Sequence, residues 1–286
     1  MRVTFATCPQ PGKAGAEDLC GAVGDLAWVL DGASVPAELS RCCDLDARWY
    51  VTRLSAALLD AFTTSPAQDL GKLLACAIAK SADEHHSACH DAADESLAPS
   101  ATVALARRRV DALDYLVLGD AAVLLEAADG VRFHTDDRLA QVRPDLRNEI
   151  RAKLAAGMGF DSPVYQSLLV ELVRHERAAR NQPGGYWIAS QNPDAAFEAV
   201  QGTARIGEGA GAVRRVGLLT DGARRAVTPL GVYCSWDALM RALVTEGPAR
   251  CIDAIRAAET GDPDGRRFPR SKPSDDATAL VWHLID

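Results

Sequence analysis

Long apolar runs are missing from this sequence. No stretch of about 18 uncharged apolar residues occurs, so no transmembrane helix is expected. The N-terminal MRVTFATCPQPGKAGAED lacks the apolar core of a secretion signal, and the chain is read as cytoplasmic. None of the eight cysteines (Cys8, Cys20, Cys42, Cys43, Cys76, Cys89, Cys234 and Cys251) forms a C-x-x-C pair. They therefore read as reduced, mostly buried thiols, with the vicinal Cys42-Cys43 an oxidation liability and little more. No G-x-S-x-G is present, which removes support for a serine hydrolase. Gly207, Gly209 and Gly211 are not followed by Gly-Lys-Ser/Thr, so they read as a flexible loop and not a phosphate cradle. Positive charge is also short: 31 Lys and Arg face 39 Asp and Glu, a net charge of −8 with pI near 5.3. That balance argues against a nucleic-acid surface or an anionic-membrane binder.

What is present is an ordinary globular composition, 48% hydrophobic and 24% charged over 286 residues. It excludes disorder, collagen and coiled coil, and it suffices for a full core. Only 6% of residues are aromatic, and the five tryptophans, Trp28, Trp49, Trp187, Trp236 and Trp282, read as core.

Residues 2–6 and 19–31 read as strands with a Gly-containing turn between them. Helical spacing follows over 47–62 (Val51, Leu54, Leu58, Phe62) and 70–81 (Leu70, Leu73, Leu74, Ala77, Ile78). Residues 82–98 read as a helix end plus loop. Short strand-like runs return at 102–110, 113–119, 121–126 and 131–135, with Asp129-Gly130 as a hairpin turn. Helical periods occupy 145–156 and 163–179, and Pro183-Gly184-Gly185 breaks the pattern. Strands are expected at 186–190 and 213–220, helices at 235–245 and 248–258, a polar loop at 260–274 and a closing strand at 278–284. Closely spaced strands imply antiparallel pairing. The irregular order of elements makes the fold class α+β, with antiparallel sheets covered by helices. One domain spans 1–286, and residues 136–185 read as an inserted helical flap.

Acidic residues recur at strand ends. Asp31 closes LAWVLDG, Asp120 closes YLVLGD, Asp221 closes VGLLTDG, and Asp275 stands just before TALVW. Glu17-Asp18 precedes the strand at 19–23. Any one Asp-Gly after a strand is a turn signal. Five such positions suit an oxygen-ligand site for Mg²⁺ or Mn²⁺.

In order, the motifs E17-D18, V-L-D31-G32, P-S100-A-T102-V, L-G119-D120, L-T220-D221-G222 and D275-D276-A-T278-A-L-V resemble those of the PP2C-like (PPM family) metal-dependent protein serine/threonine phosphatases, bacterial type. The match runs over nearly the whole chain and is weakest over 136–212. The resemblance implies a sandwich of two antiparallel β-sheets flanked by α-helices, and two ions of Mn²⁺ or Mg²⁺ per chain. It implies that Asp31 bridges both ions, with the Gly32 carbonyl and Glu17 on the second and Asp221 and Asp275 on the first. Asp18 would order bound water, and Asp120 matches a residue that supports a third ion in some bacterial members. Lys13 stands where the family places a phosphate-binding Arg. With Asp31 and Asp221 it makes up the implied catalytic set.

Three departures stand out. Ala33, followed by Ser34, occupies the place of the His proposed as general acid in eukaryotic members. Arg225 occupies the place of a second Asp for the third ion, so a third ion is not expected; Arg225 itself reads as a solvated surface charge. Residues 202–211 lack the additional G-D that members usually carry. The function implied is hydrolysis of phosphoserine and phosphothreonine in phosphorylated proteins by a monomer that binds neither nucleic acid nor membrane. Two alternatives stay open: a regulatory or binding module of the same fold with weak or no catalysis, and a phosphatase of a small phosphorylated metabolite. Separately, His86, Cys89 and His90 fall at i, i+3 and i+4, a spacing that suits zinc. No fourth ligand is evident, so that segment reads as a solvated helix end.

Overall fold

The computed structural model describes residues 2–33, 35–36, 38–39, 42–89 and 95–285. Ser34 and His90, both singled out in the sequence, lie outside the described residues.

Ten strands form two five-stranded antiparallel sheets. The first has the order β1-β10-β9-β6-β7, built from β1 (Arg2–Cys8), β6 (Ala122–Ala127), β7 (Gly130–Thr135), β9 (Val213–Leu219) and β10 (Ala277–His283). The second has the order β2-β3-β4-β5-β8, built from β2 (Asp18–Val23), β3 (Leu26–Gly32), β4 (Ala101–Arg108), β5 (Ala112–Leu118) and β8 (Val200–Arg205). The α+β class expected from the strand spacing, and the sandwich that the resemblance implies, are the observed fold.

Strand alternation sorts the side chains into layers. In β3, Leu26, Trp28 and Leu30 face outward onto α1 (Ala47–Thr64) and α2 (Leu70–Ala88), whose Leu54, Leu58, Leu74 and Ile78 complete that layer. Ala27 and Val29 face the other way and meet Val216, Leu218, Leu280 and Trp282 between the sheets. On the far side, Ala279, Val281 and Leu124 pack under α6 (Trp236–Thr245) and α7 (Pro248–Thr260). The helices start where the sequence supplies caps: the side chains of Asp46 and Asp69 accept backbone N–H groups at the first turns of α1 and α2.

Three local readings change. The run 19–31 is a hairpin, because Gly24 at φ +52° turns the chain between β2 and β3. Residues 186–190 make only isolated bridges, Arg180 to Tyr186 and Ala101 to Ala189, and are not a strand. Strand β8, which pairs with β5, lies where no strand is expected, between residues 190 and 213. Its exposed, polar residues gave no apolar alternation to read.

Residues 136–185 contain α3 (Pro144–Ala155) and α4 (Pro163–Ala179), joined through a small core of their own made by Leu146, Ile150, Leu154, Phe160, Tyr165 and Leu172. Of the described residues, no helix is long and apolar enough to cross a membrane.

Candidate metal centre

The alternation that buries Ala27 and Val29 between the sheets also sets Asp31 on that inner face at the end of β3. In the same way Asp18 begins β2, paired across the ladder with Asp31. Thr102 of β4 pairs with Asp31 on its other side. From the first sheet, Thr220 and Thr278 continue the inward-facing series of Leu218 and Leu280. One end of the sandwich core is thus polar and acidic. Thr220 donates its hydroxyl to Asp18 Oδ2 at 2.9 Å, and the backbone N–H of Asp221 points at Asp31 Oδ2 at 3.4 Å.

Two close backbone approaches assemble this end. A Cβ on Gly222 would lie 1.9 Å from the Asp276 carbonyl oxygen and 3.2 Å from Asp275 Cβ. Only glycine lets the T-D-G turn press against the D-D pair. A Cβ on Gly32 would meet Ala47 Cβ and the Glu17 carbonyl, both at 2.9 Å, while Gly32 N–H donates to that carbonyl at 3.2 Å. Asp276 acts as a clamp: its Oδ1 accepts the N–H of Gln10 at 2.6 Å and its Oδ2 that of Glu17 at 2.7 Å. The loop bearing Lys13 and Glu17 is thereby tied to the start of β10.

The carboxylates crowd one another in a dry setting. Burial pushes the Asp18 carboxyl up to about 8, with Asp275 and Asp276 adding to the rise and hydrogen bonds from Thr220 and Thr278 opposing it. Burial, then the charges of Asp18, Asp221, Asp275 and Asp120, raise Asp31 well above the usual carboxylate range. Asp18 Oδ1 is buried without a hydrogen-bond partner. A buried carboxylate oxygen without a donor is costly, and a cation satisfies it. With an all-oxygen donor set, these residues fit hard divalent cations such as Mg²⁺ or Mn²⁺.

Side-chain cations already sit on part of the set. Lys13 Nζ lies 2.8 Å from Glu17 Oε2. Arg225 Nη2 lies 2.8 Å from Asp275 Oδ2, and Lys272 Nζ lies 2.5 Å from Asp275 Oδ1. Burial opposes the charge on Arg225 and Lys272, but the carboxylates of Asp275 and Asp221 outweigh it and raise both. Asp275 itself is still raised, by burial and then by Asp221, against the pull of Lys272 and Arg225. Arg225 is only 4% exposed, which overturns its reading as a solvated surface charge. Its distance from Asp275 in sequence, 50 residues, hid the pairing. Lys272 was missed within a loop that looked merely polar, although its spacing three residues before Asp275 was a usable signal.

Beside the carboxylates lies a cavity of about 540 Å³. Asp31, Gly32, Asp120, Asp221 and Asp275 line its floor with Lys13, Lys272, Arg177 and Arg180; Leu169, Leu172 and Val173 of α4 form an apolar wall. Glu17 faces a smaller neighbouring pocket with Ala33 and Val35. Every residue expected at the metal centre therefore lies at this end of the sandwich. Asp120 is held by Arg224, whose guanidinium donates to the Asp120 carbonyl and, at 3.1 Å, to Thr135 Oγ1.

No family model and no curated protein matches the chain. Solved structures do match over its full length. The catalytic domain of the serine/threonine protein phosphatase PstP in complex with two manganese ions aligns with TM-score 0.56 and 15% identity, covering 100% of this chain and 98% of that one. The PPM Ser-Thr phosphatase MsPP from Mycobacterium smegmatis, in complex with cacodylate, aligns at 0.55 and 16%, covering 100% and 99%. Serine/threonine phosphatase Stp1 from Staphylococcus aureus aligns at 0.53 and 13%, covering 99% and 95%. The fold is that of PPM-type phosphatases.

Proposed function

We propose that this protein is a metal-dependent phosphatase that hydrolyses phosphoserine and phosphothreonine in proteins. The observation that carries the reading is the group Asp31, Asp221 and Asp275 lining a cavity that also presents Lys13, with Asp18 buried beside Asp31. Glu17, Asp31 and the Gly32 carbonyl would hold one divalent cation; Asp31, Asp221 and Asp275 would hold the other. Bound there, such a pair would supply an acidified water as the nucleophile. The chain's own part is to fix the carboxylates through Gly222, Gly32 and the Asp276 clamp, and to offer the Lys13 ammonium as a point charge for the phosphate. Asp18, which accepts the Thr220 hydroxyl, would order bound water beside the cations. The α4 wall gives the cavity room for a peptide, and residues 136–185 serve as a flap that governs substrate choice. We take the protein to act in the cytoplasm as a monomer.

The decisive experiment is hydrolysis of an aryl phosphate and of a phosphothreonine peptide with Mn²⁺ or Mg²⁺, in wild type and Asp31→Asn. Turnover that needs the metal, stops in EDTA and is lost in Asp31→Asn supports the reading; full activity in EDTA overturns it. A second reading, a binding module of the same fold with weak catalysis, is favoured by one observation. Both oxygens of Asp275 are engaged by Arg225 and Lys272. Metal binding without turnover would select it.

A further inference from the structure

Away from the carboxylates, four ligand-type side chains converge. Cys42 and Cys43 lie in the connection between β3 and α1; His85 lies in the last turn of α2, and Cys89 caps that helix. One atom from each, three Sγ and one imidazole nitrogen, lie within 4.8 Å of one another. His85 and Cys89 share a helix face at i and i+4, with the Cys89 N–H bonded to the His85 carbonyl at 2.9 Å. The reading of this segment as a solvated helix end is corrected at His85 and Cys89, and the zinc spacing weighed from the sequence began one residue too late. His86 is exposed, whereas His85 is 1% and Cys89 4% exposed.

The spacings are those of a tetrahedron. With Zn–S near 2.3 Å and Zn–N near 2.0–2.1 Å, tetrahedral edges come to about 3.8 Å for S···S and about 3.5 Å for S···N. Cys42 Sγ and Cys43 Sγ are 3.7 Å apart, and each lies 3.5 Å from His85 Nε2. That Sγ separation is far from the roughly 2.05 Å of a disulfide. The other ring nitrogen, Nδ1, is held 2.9 Å from the Gln191 carboxamide. Turned oxygen-first, that amide accepts Nδ1–H and leaves the Nε2 lone pair facing the thiols, the second contact that metal-bound histidines keep.

We infer that Cys42, Cys43, His85 and Cys89 form a structural Cys₃His zinc site, separate from the carboxylate centre. Four protein ligands close the coordination sphere, so the site is structural and not hydrolytic. It ties the β3–α1 connection to the end of α2. That connection also carries Val35, Pro36 and Glu38 on the wall of the 540 Å³ cavity, so the zinc braces one side of the phosphatase cleft.

The test is the metal content of reduced protein purified without chelator, with cobalt substitution as the second readout. Wild type is expected to hold about one zinc per chain. Cys42→Ser with Cys89→Ser, or His85→Ala, should lower it more than tenfold, while Asp221→Asn keeps it. Cobalt-loaded wild type should show the intense visible bands of tetrahedral, thiolate-ligated Co²⁺. Should a variant fail to fold, the wild-type cobalt spectrum decides. Reduced wild type without zinc and without thiolate–cobalt bands overturns the site, as does zinc lost in Asp221→Asn but kept in the Cys42/Cys89 variant.

Discussion

Arg225 and Asp275 form a buried ion pair at 2.8 Å inside the acidic end of the sandwich. Arg225 Nη1 also lies 3.6 Å from Glu259 Oε1, and that carboxylate is buried too. A guanidinium therefore joins Lys272 and Lys13 in offsetting part of the acidic set's charge with the chain's own cations.

Removing that charge should make folding lean on metal. Arg225→Ala leaves Asp275 with Lys272 alone and Glu259 with Arg256 alone, so the loss should fall below the about 3–5 kcal/mol of a buried charge left with no partner. Added Mn²⁺ should restore more stability to the variant than to wild type, since ligand binding to the folded state stabilises it. Urea denaturation with and without Mn²⁺ measures both. An equal loss in the two conditions would make Arg225 a purely structural residue.

Asp221→Asn and Asp275→Asn should each lower metal-dependent turnover more than tenfold, about 1.4 kcal/mol of barrier or more. Circular dichroism should show the fold retained, because the amide is isosteric with the carboxylate. Wild-type turnover at saturating metal would remove that residue from the centre.

The metal-free protein should lose stability as pH rises. Burial raises the Asp18 carboxyl to about 8 in the folded chain, far above its unfolded value. The folded state then holds a proton that the unfolded chain releases near pH 4. Its contribution is fully present below about pH 4 and disappears as pH climbs toward about 8. Asp31 and Asp275 are raised and act in the same direction. The melting temperature in EDTA should accordingly fall between about pH 5 and pH 8. Mn²⁺, by favouring the ionised carboxylates, should flatten that slope. A metal-free melting temperature that rises over this range would refute the assignment.

On α4, Leu169 and Val173 line the cavity without being fully buried. Leu169→Ser with Val173→Ser should raise KM for a phosphopeptide several-fold and leave aryl-phosphate turnover within about twofold, as expected for lost apolar contact far from the reacting atoms. Parallel kinetics on the two substrates tests this. Equal effects on both would assign α4 to the chemistry.

The α+β class was legible because the strands are short, apolar and marked by Gly turns, and because α1, α2, α6 and α7 carry clear helical periods; the two-sheet sandwich came only with the resemblance. The carboxylates were legible because each stands beside an apolar run; Asp18 and Asp31 belong to strands whose alternation turns them inward, while Asp120, Asp221 and Asp275 stand just outside theirs. What escaped were relationships between segments remote in the chain. Arg225 was charged and therefore looked solvated. Cys42-Cys43 and His85 lie 42 residues or more apart, so no local spacing betrays the cluster. Strand β8 escaped for a different reason: an edge strand that carries Gln201, Gly202 and Thr203 and shows only Ala204 to the core has no apolar alternation to read.

Strand β10 lies between β1 and β9, so it is an interior member of its sheet. Its approach brings Asp275 to Asp221 and lets Asp276 clamp the loop of Glu17. During synthesis, β1 and β9 have no ladder between them until this late segment is free of the ribosome. A nascent chain can bury its α1–α2 layer early, yet its acidic centre comes into being only on closure of a loop of more than 250 residues, between Gln10 and Asp276. Such long-range closure is slow. A polypeptide stalled before β10 is thus expected to lack the assembled acidic centre, however well its α1–α2 layer is packed.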